Sequence, residues 1–113
     1  MLPLDAVRHH LPLAGSGGNV LDVACGRGRH TREALRAGYR VTAVDRDVSG
    51  IADLAGDPRV EIIAADLEDG AAAPWLGRTF AAVIVANYLW RPLLPAIVAA
   101  VGVMMFAAGP IGE

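Results

Sequence analysis

Short apolar runs recur along the chain, and each of them stops at an acid, an amide or a turn. Four runs have this form, covering residues 19–24, 40–45, 60–66 and 80–87. They are rich in β-branched residues and almost continuously apolar, which is typical of strands that are covered on both faces of a parallel sheet. The pattern therefore predicts four buried, parallel strands.

The segments between these runs predict helices. Residues 30–37 carry arginines spaced for one polar face and end at Gly38, a residue type that commonly terminates helices. Residues 70–77 are ambiguous and fit either a loop or one helical turn around Trp75. Strands that alternate with helices predict an α/β fold with an open sheet and right-handed crossovers. The other predicted helical segments are residues 4–13, 49–55 and 91–101.

The last predicted helix opens a stretch, residues 92–112, that contains no charged residue. Its length matches that of a membrane-spanning helix, which needs roughly 20 apolar residues. Prolines and glycines interrupt the stretch, and Arg91 is the only cation close to it. We therefore expect a buried helix followed by a buried strand, with a membrane span as the alternative.

The composition fits one folded domain spanning residues 1–113. Hydrophobic residues make up 54% of the chain and charged residues 19%, so there is enough apolar surface to exclude a disordered chain. All ten basic residues are arginine and, with twelve acids, the net charge is −2, which gives no general attraction to nucleic acid. The lysine-free, arginine-rich composition indicates GC-rich codons and hence a bacterial source.

Cysteine usage and the start of the chain bear on cellular location. The single cysteine, Cys25, excludes an intramolecular disulfide, and the first residues carry no charged-then-apolar signal segment. We therefore expect a cytoplasmic protein. His9 and His10 have no cysteine or carboxylate partner at metal-binding spacing, so no metal is expected.

The first apolar run leads into a glycine loop whose chemistry is informative. Residues 20–31 read VLDVACGRGRHT, a strand followed by Gly26-x-Gly28 and then a helix, and such a loop lets the backbone approach a ligand closely. A dinucleotide site has a third glycine where this chain has Thr31. Asp22 would repel a pyrophosphate but can hold a cationic amine. The loop therefore favours a zwitterionic ligand without phosphate.

Two more acids end successive strands. Asp45 ends the second run, where in this architecture a carboxylate accepts hydrogen bonds from ribose hydroxyls. Asp66 ends the third run, with Leu67 behind it, and is placed to meet a heteroaromatic base. Aspartate is also common in ordinary turns after strands. Three acids in order with the glycine loop nevertheless indicate one ligand-binding edge of the sheet.

These motifs resemble the class I S-adenosylmethionine-dependent methyltransferases over roughly residues 19–100. The matching segments read VLDVACGRG, VTAVDRD, AADLED and FAAVIVANYLWRPLLPAI. The resemblance implies a Rossmann-like, doubly wound and mostly parallel sheet with helices on both faces, and S-adenosylmethionine as the cofactor. The segment from Cys25 to His30 and the GYRV segment at residues 38–41 are similar to a tellurite-resistance-like, small-molecule branch.

The same resemblance implies cofactor-binding roles for the motif residues. They are Asp22 with the backbone of Ala24, Gly26 and Gly28 for the methionine moiety, Asp45 for the ribose, and Asp66 with Leu67 for the adenine. Ala24 stands where the family often has its first glycine, and its methyl group narrows the room for the backbone to approach the cofactor.

Methyl transfer from a sulfonium needs a general base only when the acceptor arrives protonated. Asn87 and Tyr88, at the end of the fourth run, are the candidates for this catalytic role, and His30 is a weaker candidate. The alternative for the pair is an ordinary polar strand end at the surface. The segment lacks the proline pair that amino-methylating nucleic-acid enzymes of this superfamily often carry. A small-molecule acceptor is therefore expected, with no nucleic acid and no membrane partner.

The end of the chain departs from the family pattern. Family members continue through a fifth strand and an antiparallel hairpin, whereas residues 100–109 fit only a shortened turn and strand. We therefore expect a C-terminally truncated domain whose exposed sheet edge could form a homodimer. Three functions stay open: a methyltransferase, a non-catalytic cofactor-binding or interaction module, and a nicotinamide-dependent oxidoreductase, which Asp22 and Thr31 disfavour.

Overall fold

The computed structural model describes residues 18–86 and 90–108, so the predicted helix over residues 4–13 lies outside it, with His9 and His10. Strands alternate with helical segments along this part of the chain. The strands are β1 (Asn19–Val23), β2 (Arg40–Asp45), β3 (Val60–Ala64), β4 (Phe80–Ala86) and β5 (Val101–Ala108). The helices are α1 (Arg29–Arg36) and α2 (Leu94–Ala100), with 3₁₀ segments at Ser49–Leu54 and Arg91–Leu93.

The strands form one parallel sheet in the order β3-β2-β1-β4-β5. Val20 of β1 lies opposite Val41 on one side and opposite Ala82 on the other. The chain builds outward from β1 to β3 and then crosses back to β4 and β5, so the strand order reverses beside β1. The crevice outside the carboxyl ends of the strands at such a reversal is where open α/β sheets bind ligands.

Side chains alternate along β1 and supply a hydrophobic core on each face of the sheet. Val20 packs with Ala34 of α1 on one face, whereas Leu21 packs with Trp75 and with Ile97 of α2 on the other. Both β1 residues are fully buried, as expected for a central strand of a parallel sheet. The same alternation turns Asp22 toward the face that α1 covers.

The connection between β3 and β4 contains a tryptophan-anchored turn. Residues 74–77 form the turn, which decides the ambiguity left by the sequence. Trp75 is 1% exposed, and its indole Nε1 donates a hydrogen bond of 3.1 Å to the carbonyl oxygen of Ala96. The turn is thereby attached to α2 on the same face of the sheet.

The predicted α/β fold, with a parallel sheet and helices on both faces, is confirmed. β1 and β3 end slightly earlier than predicted, and α1 begins and ends one residue earlier. The short helix predicted over residues 49–55 is found as a 3₁₀ segment over residues 49–54, with a kink at Ile51, whose φ is −124°. β5 follows α2 directly with eight residues, so the apolar strand expected within residues 100–109 is confirmed, whereas the turn expected before it is not found.

The uncharged stretch that matched a membrane span in length divides into separate elements. α2 and the whole of β5 fall within it, and α2 has seven residues. Within residues 18–86 and 90–108, no helix is long and apolar enough to cross a membrane.

Candidate functional site

A cleft of about 660 Å³ opens at the carboxyl ends of β1, β2 and β3. Its walls come from the loop after β1, the start of α1, and the residues that follow β2 and β3. The lining residues are Asp22, Ala24, Cys25, Gly26, Arg27, Arg29, His30, Asp45, Arg46, Ala65, Asp66, Leu67 and Glu68. The cleft lies at the reversal of strand order, where ligand binding is expected for this sheet topology.

The loop of residues 24–28 turns sharply between β1 and α1. Ala24 has φ +58° and Gly26 has φ +57°, both in the left-handed region. This conformation costs an L-residue with a Cβ roughly 1–2 kcal/mol, so Ala24 is strained where the family often has glycine. The Cys25 amide donates a 3.0 Å hydrogen bond to the Val44 carbonyl, which fixes the loop against β2.

Asp22 is a buried carboxylic acid with one hydroxyl partner on α1. It is 2% exposed, and the Thr31 hydroxyl donates a 2.7 Å hydrogen bond to its Oδ2. Burial raises the pKa of Asp22 to about 7, because the hydrogen bond from Thr31 only partly offsets the desolvation and the nearby Asp45 charge adds to it. Near neutral pH this group can therefore exist either as a neutral acid or as a carboxylate.

Asp45 connects the end of β2 to the glycine loop. Its Oδ2 accepts a 2.8 Å hydrogen bond from the Gly26 amide, and its Oδ1 accepts a 3.1 Å hydrogen bond from the Asp47 amide. Each carboxylate oxygen has a further acceptor site. Asp45 can therefore shape the loop and still accept hydrogen bonds from hydroxyl groups in the cleft.

The third acid closes the far side of the cleft. Asp66 follows β3, and its Oδ1 accepts a 2.9 Å hydrogen bond from the Glu68 amide. Leu67 lines the cleft and also packs against the core under α2. An acceptor beside an apolar side chain suits the edge and face of a heteroaromatic ring.

The structure brings most of the predicted site residues together. Asp22, Asp45 and Asp66 line one cleft, as do Ala24, Gly26 and Leu67. Gly28 does not line it. Gly28 stands at the start of α1 with φ +80°, and a Cβ there would lie 2.5 Å from Cγ2 of Ile51, so this position packs closely on the 3₁₀ segment, and a cofactor contact of its backbone stays a prediction. Asn87 and Tyr88 lie outside the described residues.

Several lining residues and contacts were missed by reasoning from sequence. Thr31 was treated only as a departure from a dinucleotide motif, but its hydroxyl is the partner of Asp22. Arg29 begins α1 and lines the same cleft, beside His30, which the sequence had offered only as a weaker catalytic candidate. The available signal was their place directly after the glycine loop, since the first turn of such a helix borders the ligand.

Cys25 lines the cleft but is not suited to act as a nucleophile. Burial raises the pKa of its thiol to about 12, with Asp22 and Asp45 contributing in the same direction. A thiolate is the reactive form, so the thiol stays inert at neutral pH. In the described part of the chain, no group of histidine, cysteine and acidic residues could hold a metal ion.

A parallel sheet with a central reversal, a glycine loop after β1 and acids beyond β2 and β3 defines a nucleoside-cofactor-binding α/β domain. The sequence profile described as a methyltransferase domain matches residues 20–105, and the chain therefore belongs to this methyltransferase family. The resemblance to class I S-adenosylmethionine-dependent methyltransferases is thus confirmed. No curated protein sequence matches the chain.

Solved methyltransferase structures share the fold. The glycopeptide N-methyltransferase MtfA with S-adenosylmethionine matches with a TM-score of 0.65 and 26% identity, over 88% of this chain and 50% of that one. The 1,6-didemethyltoxoflavin N1-methyltransferase of Burkholderia thailandensis matches with 0.61 and 28%, over 87% and 45%. TehB from Haemophilus influenzae, at 20% identity, TM-score 0.60 and coverage of 84% and 36%, is similar in fold alone. The chain spans about half the length of the two N-methyltransferases.

Proposed function

We propose that this chain binds S-adenosylmethionine in the cleft and is the cofactor-binding part of a methyltransferase that acts on a small-molecule acceptor. The observation that carries the proposal is the convergence of Asp22, Asp45 and Asp66 on one cleft beside the glycine loop. A cofactor with an ammonium group, a ribose and an adenine presents three groups that these acids can hold in chain order. The family membership and the cofactor in the complex of MtfA support the same ligand.

Each residue of the cleft is assigned to one part of the cofactor. Asp22, once ionised, pairs with the ammonium group, and the backbone at Ala24 and Gly26 borders the methionine chain. Asp45 accepts hydrogen bonds from the ribose hydroxyls. Asp66 accepts a hydrogen bond from the adenine, and Leu67 packs against its face.

The chain's contribution to the reaction is to position the cofactor and to exclude water. Bound S-adenosylmethionine supplies a sulfonium methyl group that already carries a good leaving group. Holding two reactants in line can contribute on the order of 7–11 kcal/mol to the rate, so no covalent step on the protein is required. Asn87 and Tyr88 remain the proposed catalytic pair: Tyr88, as its phenolate, can take a proton from an acceptor that arrives protonated, and the neutral amide of Asn87 can only hydrogen-bond to that acceptor.

The acceptor is proposed to present a nitrogen atom on a small molecule. Two of the similar structures carry N-methyltransferase in their names, one for a glycopeptide and one for 1,6-didemethyltoxoflavin. Assignment to the tellurite-resistance-like branch stays a prediction.

Calorimetric titration with S-adenosylhomocysteine tests the cofactor site. Asp45→Ala should weaken binding by roughly tenfold or more, because it removes charged hydrogen-bond acceptors for the ribose and the support of the Gly26 amide. Asp69→Ala is the control, since the carboxylate of Asp69 likewise accepts a backbone hydrogen bond and Asp69 does not line the cleft. Absence of any binding by the wild-type chain would refute the proposal.

A second candidate is a module that binds the cofactor without completing an acceptor site. The observation in its favour is that the chain spans about half the length of the similar methyltransferases. Incubation with methyl-labelled S-adenosylmethionine and a panel of small amines separates the two. Label transferred to an amine supports the enzyme, whereas tight binding without transfer to any amine supports the module.

A further inference from the structure

His30 carries an unpaired polar atom at the wall of the cleft. It is the second residue of α1, lines the cleft and is 8% exposed. Among the described residues, its Nε2 is the one buried side-chain nitrogen or oxygen without a hydrogen-bond partner. Asp22, on the same wall, is satisfied by Thr31.

The unpaired nitrogen is costly to the folded state and needs an explanation. A buried donor or acceptor without a partner costs about 1–3 kcal/mol, whereas an apolar side chain of similar size would avoid this cost. Burial and the adjacent Arg29 lower the pKa of His30, so the imidazole is neutral at neutral pH. A neutral ring can present an N–H donor without adding a charge.

The surroundings of His30 favour an anionic partner. Gly28 precedes α1 and provides no side-chain cap, so the first amides of the helix keep their partial positive charge. The cationic Arg29 lines the cleft beside His30. Asp22 is the acid that faces this end of the cleft from β1, and the proposed function already assigns it to the ammonium group.

We propose that His30 is a positioning residue that donates a hydrogen bond from Nε2 to the carboxylate of the cofactor's amino-acid end. The inference rests on the proposed function. Because Nε2 is enclosed by protein in the unliganded structure, the proposed contact requires the ring to turn about its side-chain torsions. The carboxylate then supplies the missing partner, and its binding is coupled to ring rotation.

The contact is tested by comparing the affinities of the wild type and a variant without the imidazole for two ligands, one with the carboxylate and one without it. The ligands are S-adenosylmethionine and its decarboxylated form, which keeps the ammonium group and the sulfonium. His30→Leu should weaken binding of the intact cofactor by roughly ten- to a hundredfold, the range for a hydrogen bond to a charged group. The same variant should bind the decarboxylated ligand like the wild type. His30→Gln, which keeps an N–H donor, should recover part of the loss.

Asp22→Asn is the matched comparison. It should weaken the binding of both ligands, because both carry the ammonium group that Asp22 is proposed to hold. Since His30→Leu removes an unpaired polar atom, the unliganded variant should melt no lower than the wild type, which excludes misfolding as the cause of weaker binding. An equal loss for both ligands, or no loss for either, would overturn the role of His30. Failure of the wild type to bind either ligand would instead refute the cofactor site itself.

Discussion

At the scale of single residues, the buried Asp22 makes stability depend on pH. Its pKa is about 7 in the folded chain and near 3.8 when exposed to solvent. The favourable contribution of the protonated acid is thus fully present below pH 4 and is lost as the pH rises through 7, because the unfolded chain ionises first. The loss amounts to a few kcal/mol, at about 1.4 kcal/mol for each unit of pKa difference.

Asp22→Asn should therefore stabilise the unliganded protein above neutral pH. The amide oxygen still accepts the Thr31 hydroxyl, but no charge has to be buried. We expect a gain on the order of 2–4 kcal/mol at pH 8 that shrinks toward zero near pH 4. Urea unfolding of both proteins between pH 4 and pH 8 measures this difference.

Asp47→Asn provides a control of opposite sign. Hydrogen bonds from Ser49 lower the pKa of Asp47, so its ionised form supports the fold and the variant should lose stability at pH 8. If Asp22→Asn were less stable than the wild type at every pH, the cost of ionising the buried Asp22 would not explain the pH dependence of stability. The same variant should bind the cofactor more weakly, so the acid that costs stability is the one proposed to hold the ligand.

At the scale of elements, Gly28 determines how α1 approaches the 3₁₀ segment. A Cβ at Gly28 would lie 2.5 Å from Cγ2 of Ile51, a fully buried side chain that cannot move away without disturbing the core. Its φ of +80° adds a backbone cost. Gly28→Ala should therefore destabilise the fold by about 2–4 kcal/mol, combining overpacking with left-handed strain.

Gly38→Ala separates the two contributions to this loss. Gly38 also has positive φ, at +96°, but a Cβ there meets no atom within 4 Å. This variant should cost only about 1–2 kcal/mol, from the backbone alone. Thermal unfolding of both variants gives the comparison, and equal losses would show that contact with Ile51 contributes nothing.

The elements themselves were largely predictable from sequence because β1 to β4 are apolar runs with polar ends. The end of the sheet at which the acids lie was predictable for the same reason, since the carboxyl ends of parallel strands all lie on one side of the sheet. The 3₁₀ geometry of residues 49–54 and the kink at Ile51 were not predictable. They depend on Gly50 packing against the loop after β1, where a Cβ would lie 2.9 Å from the Gly26 carbonyl oxygen.

The finer chemistry of the site also required the three-dimensional arrangement. Sequence placed Asp22 beside a loop but gave no partner for it, because the Thr31 hydroxyl reaches it across the packing of α1 on β1. The unpaired nitrogen of His30 likewise has no signal in the sequence. Gly28 was assigned to the cofactor by resemblance, whereas its nearest constraint is Ile51.

At the scale of the whole molecule, the two edges of the described sheet differ in charge. β3 forms one edge and carries Glu61, which pairs with Arg78 at 2.8 Å and accepts a hydrogen bond from Thr42. β5 forms the other edge over the residues that the structure describes, and its sequence VGVMMFAA contains no charge. Charged side chains are a common means of preventing strand edges from pairing with other chains. The β5 edge lacks this protection.

We therefore expect the chain to self-associate through the β5 edge, as a homodimer or larger assembly. Light scattering across a series of protein concentrations should give a mass that rises above the monomer. Met104→Lys, in the middle of β5, should shift association to higher concentration, because a charged residue on an edge strand opposes its pairing with another chain. Val98→Lys adds the same charge to α2 at a side chain that is 56% exposed, and it should leave association unchanged. If Val98→Lys weakened association more than Met104→Lys did, the interface would lie on the surface of α2 and not at the sheet edge. Thermal unfolding of both variants verifies that the comparison is made between folded proteins.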